Sequence, residues 1–343
     1  MIKGDGIGPE LVDSALAVLD AVADFPIELI EVHGGAGAYR ASGSAMSEAG
    51  LAVIREADAT LKGPVGLPEV RLPDGTEAGL LGGVLRNGLD LYANVRPITL
   101  LPGVRSALRV DDGIDYVIVR ENTEGLYASR GKGVGNNHAM TDTLMVTRTG
   151  CERIARYAFE LARNRSGAPG DGVRRVTCVD KANVLRSMYF FRSVFLEVAA
   201  EYPDIEPECQ YVDAAAQALV MSPEHFDVIV TESMFGDILS DLGGGTIGGV
   251  ALCPGGNIGD SRAYFEPIHG SAPGIAGQDR ANPLSQILAT AMMLDHLDER
   301  AAGDKIRDAV REALRSGAIR LNPDGTASSG TRSVTKAVLG ALA

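Results

Sequence analysis

The sequence predicts an α/β fold, and three observations carry that prediction. Short apolar, β-branched runs alternate with longer stretches of helical character. The chain has 343 residues, 45% of them hydrophobic, enough to bury a large core and to form two domains. No internal repeat or low-complexity tract breaks the alternation. The opening "MIKGDGIGPELV" fits neither of the phosphate-loop spacings GxxxxGK[ST] and GxGxxG. It reads as a tight turn through Gly4, Gly6 and Gly8 into a helix begun by Pro9 and Glu10; a strand is expected before the turn, and with only Met1 to Lys3 ahead of it either that strand is very short or the given start is late. Strands are expected at "DYVIVR" (115–120), "RRVTCVD" (174–180) and "FDVIVT" (226–231), each followed later by a helix. Helices are expected over 151–165, 188–202 and 282–297, the last with Asn282 as N-cap and Pro283 at its first position. The Gly-rich 241–260 is either a hinge or a place of close backbone approach.

The formal charge of −13 and a pI near 4.9, with no basic stripe, argue against nucleic-acid and anionic-membrane partners. The four cysteines are scattered and form no CxxC pair, so neither a zinc site nor a disulfide framework is indicated and a reducing cytoplasm is the expected home. No apolar run is long enough to span a membrane, and no signal-peptide hydrophobic region stands at the N-terminus.

In "TESMFGDILSDL" (231–242), Asp237 and Asp241 stand four apart on one helix face, with Ile238, Leu239 and Leu242 expected to turn toward an apolar packing surface. Two converging carboxylates near an interior require a cation, a basic partner or a shared proton. Other segments offer Arg86, Arg96, Arg120, Tyr127 and Lys181, all expected at strand ends, and Asp213 follows a further candidate strand. Singly, such residues are commonest as surface ion pairs or solvated lysines. Together they fit the rule that ligands of open α/β sheets bind beyond the carboxyl ends of strands.

"GDGIGPE", "DLYANVRP", "VIVRENTEGLY", "VDKANVL", "FGDILSDL", "GNIGD" and "FEPIHGSAP" followed by "AGQDRANP" occur in an order and spacing that resemble the β-decarboxylating dehydrogenases almost end to end. That family comprises isopropylmalate, isocitrate, homoisocitrate and tartrate/D-malate dehydrogenases. The resemblance implies a two-domain α/β fold that is not a Rossmann domain. It implies a nucleotide-binding domain from residues 1–95 plus 245–343, a substrate and dimerisation domain from 96–244, and a homodimer whose active sites draw on both subunits. By position, Arg86, Arg96 and Arg120 match the arginines that hold two malate carboxylates, and Asn183 matches a further substrate contact. Asp237 and Asp241 match metal ligands of one subunit and Asp213 the ligand from the other, for Mg²⁺ or Mn²⁺. Lys181 matches the general base and Tyr127 the proton donor to C3.

The resemblance also places the nucleotide on the loop containing His269, Gly270, Ala272, Gly274, Ile275 and Asn282. NAD-using relatives carry an aspartate where Gly274 stands, and bacterial NADP-using relatives carry Lys-Tyr at 274 and 275. Neither pattern is present, so NAD is expected for want of a 2′-phosphate partner, with NADP the alternative. Ser233 stands where many relatives have asparagine. The turn Leu80–Val84, matching the reader of the malate 3-substituent, offers no charged or amide group and suits an apolar or small substituent. The wording of "DLYANVRP" and "VRENTEGLY" instead stands nearer homoisocitrate and NAD-isocitrate enzymes. D-malate/tartrate dehydrogenase is the alternative reading, and a noncatalytic regulatory subunit the alternative of another class.

Overall fold

The computed structural model describes residues 1–342. In chain order the helices are α1 (Gly8–Val22), α2 (Ala36–Ser42), α3 (Glu48–Glu56), α4 (Arg148–Arg163), α5 (Arg186–Ala199), α6 (Val212–Met221), α7 (Ser233–Thr246), α8 (Leu284–His296), α9 (Arg300–Arg315) and α10 (Thr331–Leu342). The strands are β1 (Thr60–Leu61), β2 (Ala93–Thr99), β3 (Asp115–Glu121), β4 (Val134–Asn136), β5 (Ala139–Thr141), β6 (Arg175–Asp180), β7 (Glu206–Tyr211), β8 (Val228–Thr231), β9 (Pro254–Ile258) and β10 (Ala263–Pro267). Eight strands form one mixed sheet in the order β1-β10-β9-β2-β3-β8-β6-β7, and β4 and β5 form a separate exposed hairpin. The pairs β10–β9, β9–β2 and β2–β3 are antiparallel and the rest parallel, unlike the all-parallel sheet of a Rossmann domain.

Period-two alternation decides which helices cover which face. On β3, Tyr116 and Ile118 enter the core with residues of α1, α8 and α9, whereas Val117 and Val119 enter the core with residues of α4 and α5. Val228 and Val230 of β8 join the second core and Ile229 the first. Both faces are therefore covered, and the strands read as near-continuous apolar runs. The second core is fastened by aromatic packing, with Phe159 stacked 5.3 Å from Phe195 and 4.8 Å from Tyr202 between ring centroids.

The three expected strands are present, and the three expected helices occur within a few residues of their predicted bounds. α8 begins later than expected: Pro283 is its N-cap, and Asn282 Oδ1 accepts from the Leu284 N–H at 3.1 Å. The opening turn is as read, with Gly4 and Gly6 at φ +75° and +56°. A Cβ on Gly4 would lie 2.1 Å from the Pro64 carbonyl oxygen. Asp5, within this turn, accepts from the N–H groups of Ala36, Gly37 and Gly66 and so ties it to the start of α2. Close backbone approach is the structural role of Gly243 and Gly244: a Cβ on the first would lie 2.6 Å from the Tyr116 hydroxyl, and on the second 2.9 Å from Val250 Cγ1.

Candidate active site

α7 starts immediately after β8, and the Glu232 side chain caps it by accepting from the Met234 and Phe235 N–H groups. The same carboxylate accepts from the Leu126 N–H at 2.8 Å, which fixes the segment carrying Tyr127 against the helix. Gly125 is required there: its φ is +77° and a Cβ would come within 2.2 Å of Glu232 Oε1. α7 thus presents Asp237 to two neighbouring strands. Arg120 of β3 makes a short charge-assisted hydrogen bond to Asp237 Oδ1, and Arg96 of β2 donates to it at 3.2 Å and to Ser240 Oγ at 2.6 Å. The Tyr127 hydroxyl donates to Asp237 Oδ2 at 3.1 Å, and the Arg120 guanidinium lies 5.3 Å from the centre of its ring.

Charge follows from this crowding. Burial, then Arg96 and Arg86, push the Arg120 guanidinium down to about 9, so it stays charged at neutral pH. Burial opposes ionisation of Asp237, but Arg120 and Arg96 hold its pKa below the ordinary value. Asp241 goes the other way: burial raises it against the pull of Arg96, which comes no nearer than 4.0 Å, and Asp237 adds to the rise. Burial and then Asp237 raise Tyr127, which is thereby kept protonated.

Arg86 reaches the same cleft from the wide helical turn Gly83–Asn87, donating to the Tyr264 hydroxyl at 3.0 Å and to Glu266 at 3.3 Å. The cleft has a volume of about 610 Å³ and is walled by Gly82, Gly83, Arg86, Tyr127 and Ser233. A groove of similar size, about 670 Å³, lies between residues 25–32 and 52–61; its lining is mainly apolar, and its charged side chains are the acids Glu28, Glu56, Asp58 and Glu299.

Several expected placements need correction. Arg96 lies in the middle of β2, and Arg86 and Tyr127 lie on helical turns rather than at strand ends. Ile238 does not pack inward but is 60% exposed. The turn 80–84 itself holds no charged or amide group, but Asn87, Arg130 and Lys132 also line the cleft. Lys181 and Asp213 form an ion pair of 2.5 Å at the ends of β6 and β7, and they make no hydrogen bond or ion pair with the arginine cluster. Asn183 is exposed on the turn beside Lys181. No group of three potential metal-ligating His, Cys, Asp or Glu side chains forms among the described residues.

In the loop, Gly270, Ala272 and Gly274 are exposed and Ile275 is half-buried, whereas the buried Asn282 amide spends both ends internally, on Gly325 O and Leu284 N–H. His269 is held between Gly270 O and Ser285 Oγ, and burial lowers its pKa. A Cβ on Gly274 would meet nothing within 4 Å, so the absence of an aspartate there is not steric. Sequence reasoning missed Lys62, Asn94, Asn257, Tyr264 and Glu266, which back the arginines. For Asn94, Asn257, Tyr264 and Glu266 the one signal is position inside or beside the motifs "DLYANVRP", "GNIGD" and "FEP", and Lys62 has none.

The donor set fits a hard divalent cation. Asp241 has no hydrogen-bond donor, and it sits one turn from a carboxylate already engaged by arginine.

The isocitrate/isopropylmalate dehydrogenase family profile matches residues 1–338. The 3-isopropylmalate/3-methylmalate dehydrogenase of Methanocaldococcus jannaschii is 43% identical over 318 residues, covering 92% of this chain and 91% of its own. The 3-isopropylmalate dehydrogenase of Synechocystis sp. is 42% identical over 337 residues, covering 92% and 90%. Among solved structures, isocitrate dehydrogenase from Methylococcus capsulatus superposes with a TM-score of 0.88 at 40% identity, covering 99% of this chain and 98% of that one. The β-decarboxylating dehydrogenase from Thermococcus kodakarensis superposes with a TM-score of 0.80 at 39% identity, covering 99% and 94%. The chain belongs to the isocitrate/isopropylmalate dehydrogenase family. At that level it is an NAD(P)-dependent, β-decarboxylating 2-hydroxy-acid dehydrogenase with the two-domain fold of these relatives.

Proposed function

We propose that the protein oxidatively decarboxylates a 3-substituted D-malate to a 2-oxo acid, using NAD and Mg²⁺ or Mn²⁺. The observation that carries this reading is the gathering of Arg96, Arg120 and Tyr127 on Asp237, one turn from Asp241, beside a cleft that Arg86 and Tyr127 line. Arg96 and Arg120 share one Asp237 oxygen and Arg86 shares Glu266 with Lys62, so the guanidinium groups keep donors that substrate carboxylates would engage. Bound NAD would accept hydride from C2, and a cation held by Asp237 and Asp241 would polarise the substrate's C2 oxygen. The arginines hold the two carboxylates, and Lys181 takes the C2 hydroxyl proton. When the C3 carboxylate departs as CO₂, its electron pair passes toward the C2 carbonyl, and Tyr127, held protonated, returns a proton to C3.

Lys181 and Asp213 stand apart from this cleft within one chain, so the reading requires a homodimer in which each subunit completes the other's site. Exposed apolar side chains support it: Val184 and Leu185 flank the Lys181 turn, Ile238 lies between the two aspartates, and Met221 ends α6 at 72% exposure. In this reading residues 1–95 and 245–343 carry the nucleotide and 96–244 carry the substrate site and dimer contacts, in a cytoplasmic enzyme.

Gly82 and Gly83 leave room for the 3-substituent, and a Cβ on Gly83 would meet nothing within 4 Å. Arg130 and Lys132 on the same cleft favour a carboxylate-bearing substituent as the second reading. The test is reduced-nicotinamide absorbance with Mg²⁺ across D-malate, tartrate, 3-isopropylmalate, isocitrate and homoisocitrate, with NAD⁺ and then NADP⁺. Turnover of one malate by the purified chain supports a catalytic enzyme. Silence across the panel, with nucleotide still bound, favours a noncatalytic subunit.

A further inference from the structure

Behind the cleft, four side chains stand in one row across neighbouring strands. Arg120 of β3 pairs with Asn94 of β2, Asn94 with Asn257 of β9, and Asn257 with Tyr264 of β10. Period two places Arg96 on the same face as Asn94. Hydrogen bonds join this row. The Arg96 Nε–H donates to Asn94 Oδ1 at 2.6 Å, Asn94 Nδ2 donates to Asn257 Oδ1 at 2.6 Å, and Asn257 Nδ2 donates to Glu266 Oε1 at 3.0 Å. Arg86 enters from the other end, donating to the same Glu266 oxygen at 3.3 Å and to the Tyr264 hydroxyl at 3.0 Å. Lys62 donates to the second Glu266 oxygen at 2.6 Å, and Asn122 Nδ2 adds a second donor to Asn257 Oδ1 at 2.9 Å.

Every donor from Arg96 onward points toward Glu266, so the amide orientations are fixed by the carboxylate at the end of the chain. Asn257 has no exposed surface and both ends of its amide are used. A chain of largely buried, mutually polarising hydrogen bonds transmits a displacement of one member to the next, because a broken link leaves a polar group unpaired at high cost.

We propose that Asn257 is a positioning residue that fixes Arg86 relative to Arg96, so that the cleft holds two carboxylates at one separation. The inference rests on reading the arginine cleft as a dicarboxylate site, and it adds the residue that sets the spacing. Asn257 touches no ligand in this scheme. It acts through Asn94 on one side and Glu266 on the other.

The test is calorimetric titration of the purified protein with D-malate in the presence of Mg²⁺, for the native chain, Asn257→Asp, Arg86→Lys and the double variant. Asn257→Asp preserves shape and the acceptor toward Asn94 but removes the donor to Glu266. Asn257→Ser serves the same purpose where the aspartate variant does not fold. The expected result is a D-malate Kd raised about tenfold by Asn257→Asp. The losses for the two single variants should also be markedly non-additive in the double variant, because each breaks the same linkage. Additive losses, or a lowered unfolding temperature with unchanged Kd, would overturn the positioning role and leave the dicarboxylate reading intact. A native chain that binds no D-malate overturns both.

Discussion

Glu266 is a carboxylate with only 13% of its side chain exposed that nevertheless stays ionised. Burial opposes its charge, but Lys62 and Arg86 overcome that cost and hold its pKa at about 2, against 4.5 for an ordinary glutamate. The folded value lies below the unfolded one, so the stabilisation is fully present above pH 4.5 and is lost as pH falls toward 2. A gap of this size corresponds to about 3 kcal/mol. Glu266→Gln should therefore be less stable than the native protein at neutral pH, with a deficit that shrinks through the same window. Urea unfolding of both proteins at neutral pH and at pH 3 measures this, and a pH-independent deficit would show that the native carboxyl is not ionised. Lys181 gives a second prediction at this scale. A positioned acid or base contributes ~10²–10⁴-fold to rate, so Lys181→Met should lose turnover by that order. Its D-malate titration should be nearly unchanged, since the lysine bonds to Asp213 and to none of the arginines.

α7 is held close to the sheet by its glycines, and the two kinds of glycine in it should respond oppositely to substitution. A Cβ on Gly236 would lie 2.7 Å from both Cβ and Cγ of Arg120, in a place where neither partner has room to retreat. Gly236→Ala should destabilise by ~1–3 kcal/mol through overpacking, and it should raise the KM for a dicarboxylate substrate more than it lowers kcat, because Arg120 is what moves. Gly245, exposed in the same helix, would meet nothing within 4 Å. Gly245→Ala should stabilise by up to about 1 kcal/mol through helix propensity alone, and thermal unfolding of the two variants decides between the signs. The central strands β3, β6 and β8 are legible in the sequence because apolar runs face cores on both sides, and so is α7 as a carrier of Asp237 and Asp241. β9 is not legible: "PGGNI" has no strand propensity, and it becomes a buried strand because β10 and β2 hydrogen-bond to its two edges. The backing residues were hidden for the same reason. Asn94 and Asn257 are 163 positions apart, and only the pairing register makes them neighbours.

At the scale of the whole molecule, the residues of the proposed chemistry stand in two places on each chain. Arg96, Arg120 and Tyr127 gather on Asp237 beside the cleft that Arg86 lines, while Lys181 and Asp213 form their own pair at the ends of β6 and β7. If each subunit lends the second set to its partner's cleft, two inactive variants must repair each other. In a heterodimer of Lys181→Met and Asp241→Asn, one site receives an intact cleft from the first chain and an intact lysine from the second, and the other site collects both defects. Random pairing of equal amounts makes half of the dimers mixed, with one working site in two, so co-refolded protein should recover about one quarter of the native rate. Each variant alone should remain near its own residual rate. The outcome depends on association as well as on residue roles, so Met221→Glu, which puts a charge on the exposed apolar face, should abolish the recovery and shift sedimentation toward the monomer. A dimer without recovery would place Lys181 and the aspartates in the same subunit's site and would require the Lys181 turn to close onto its own cleft.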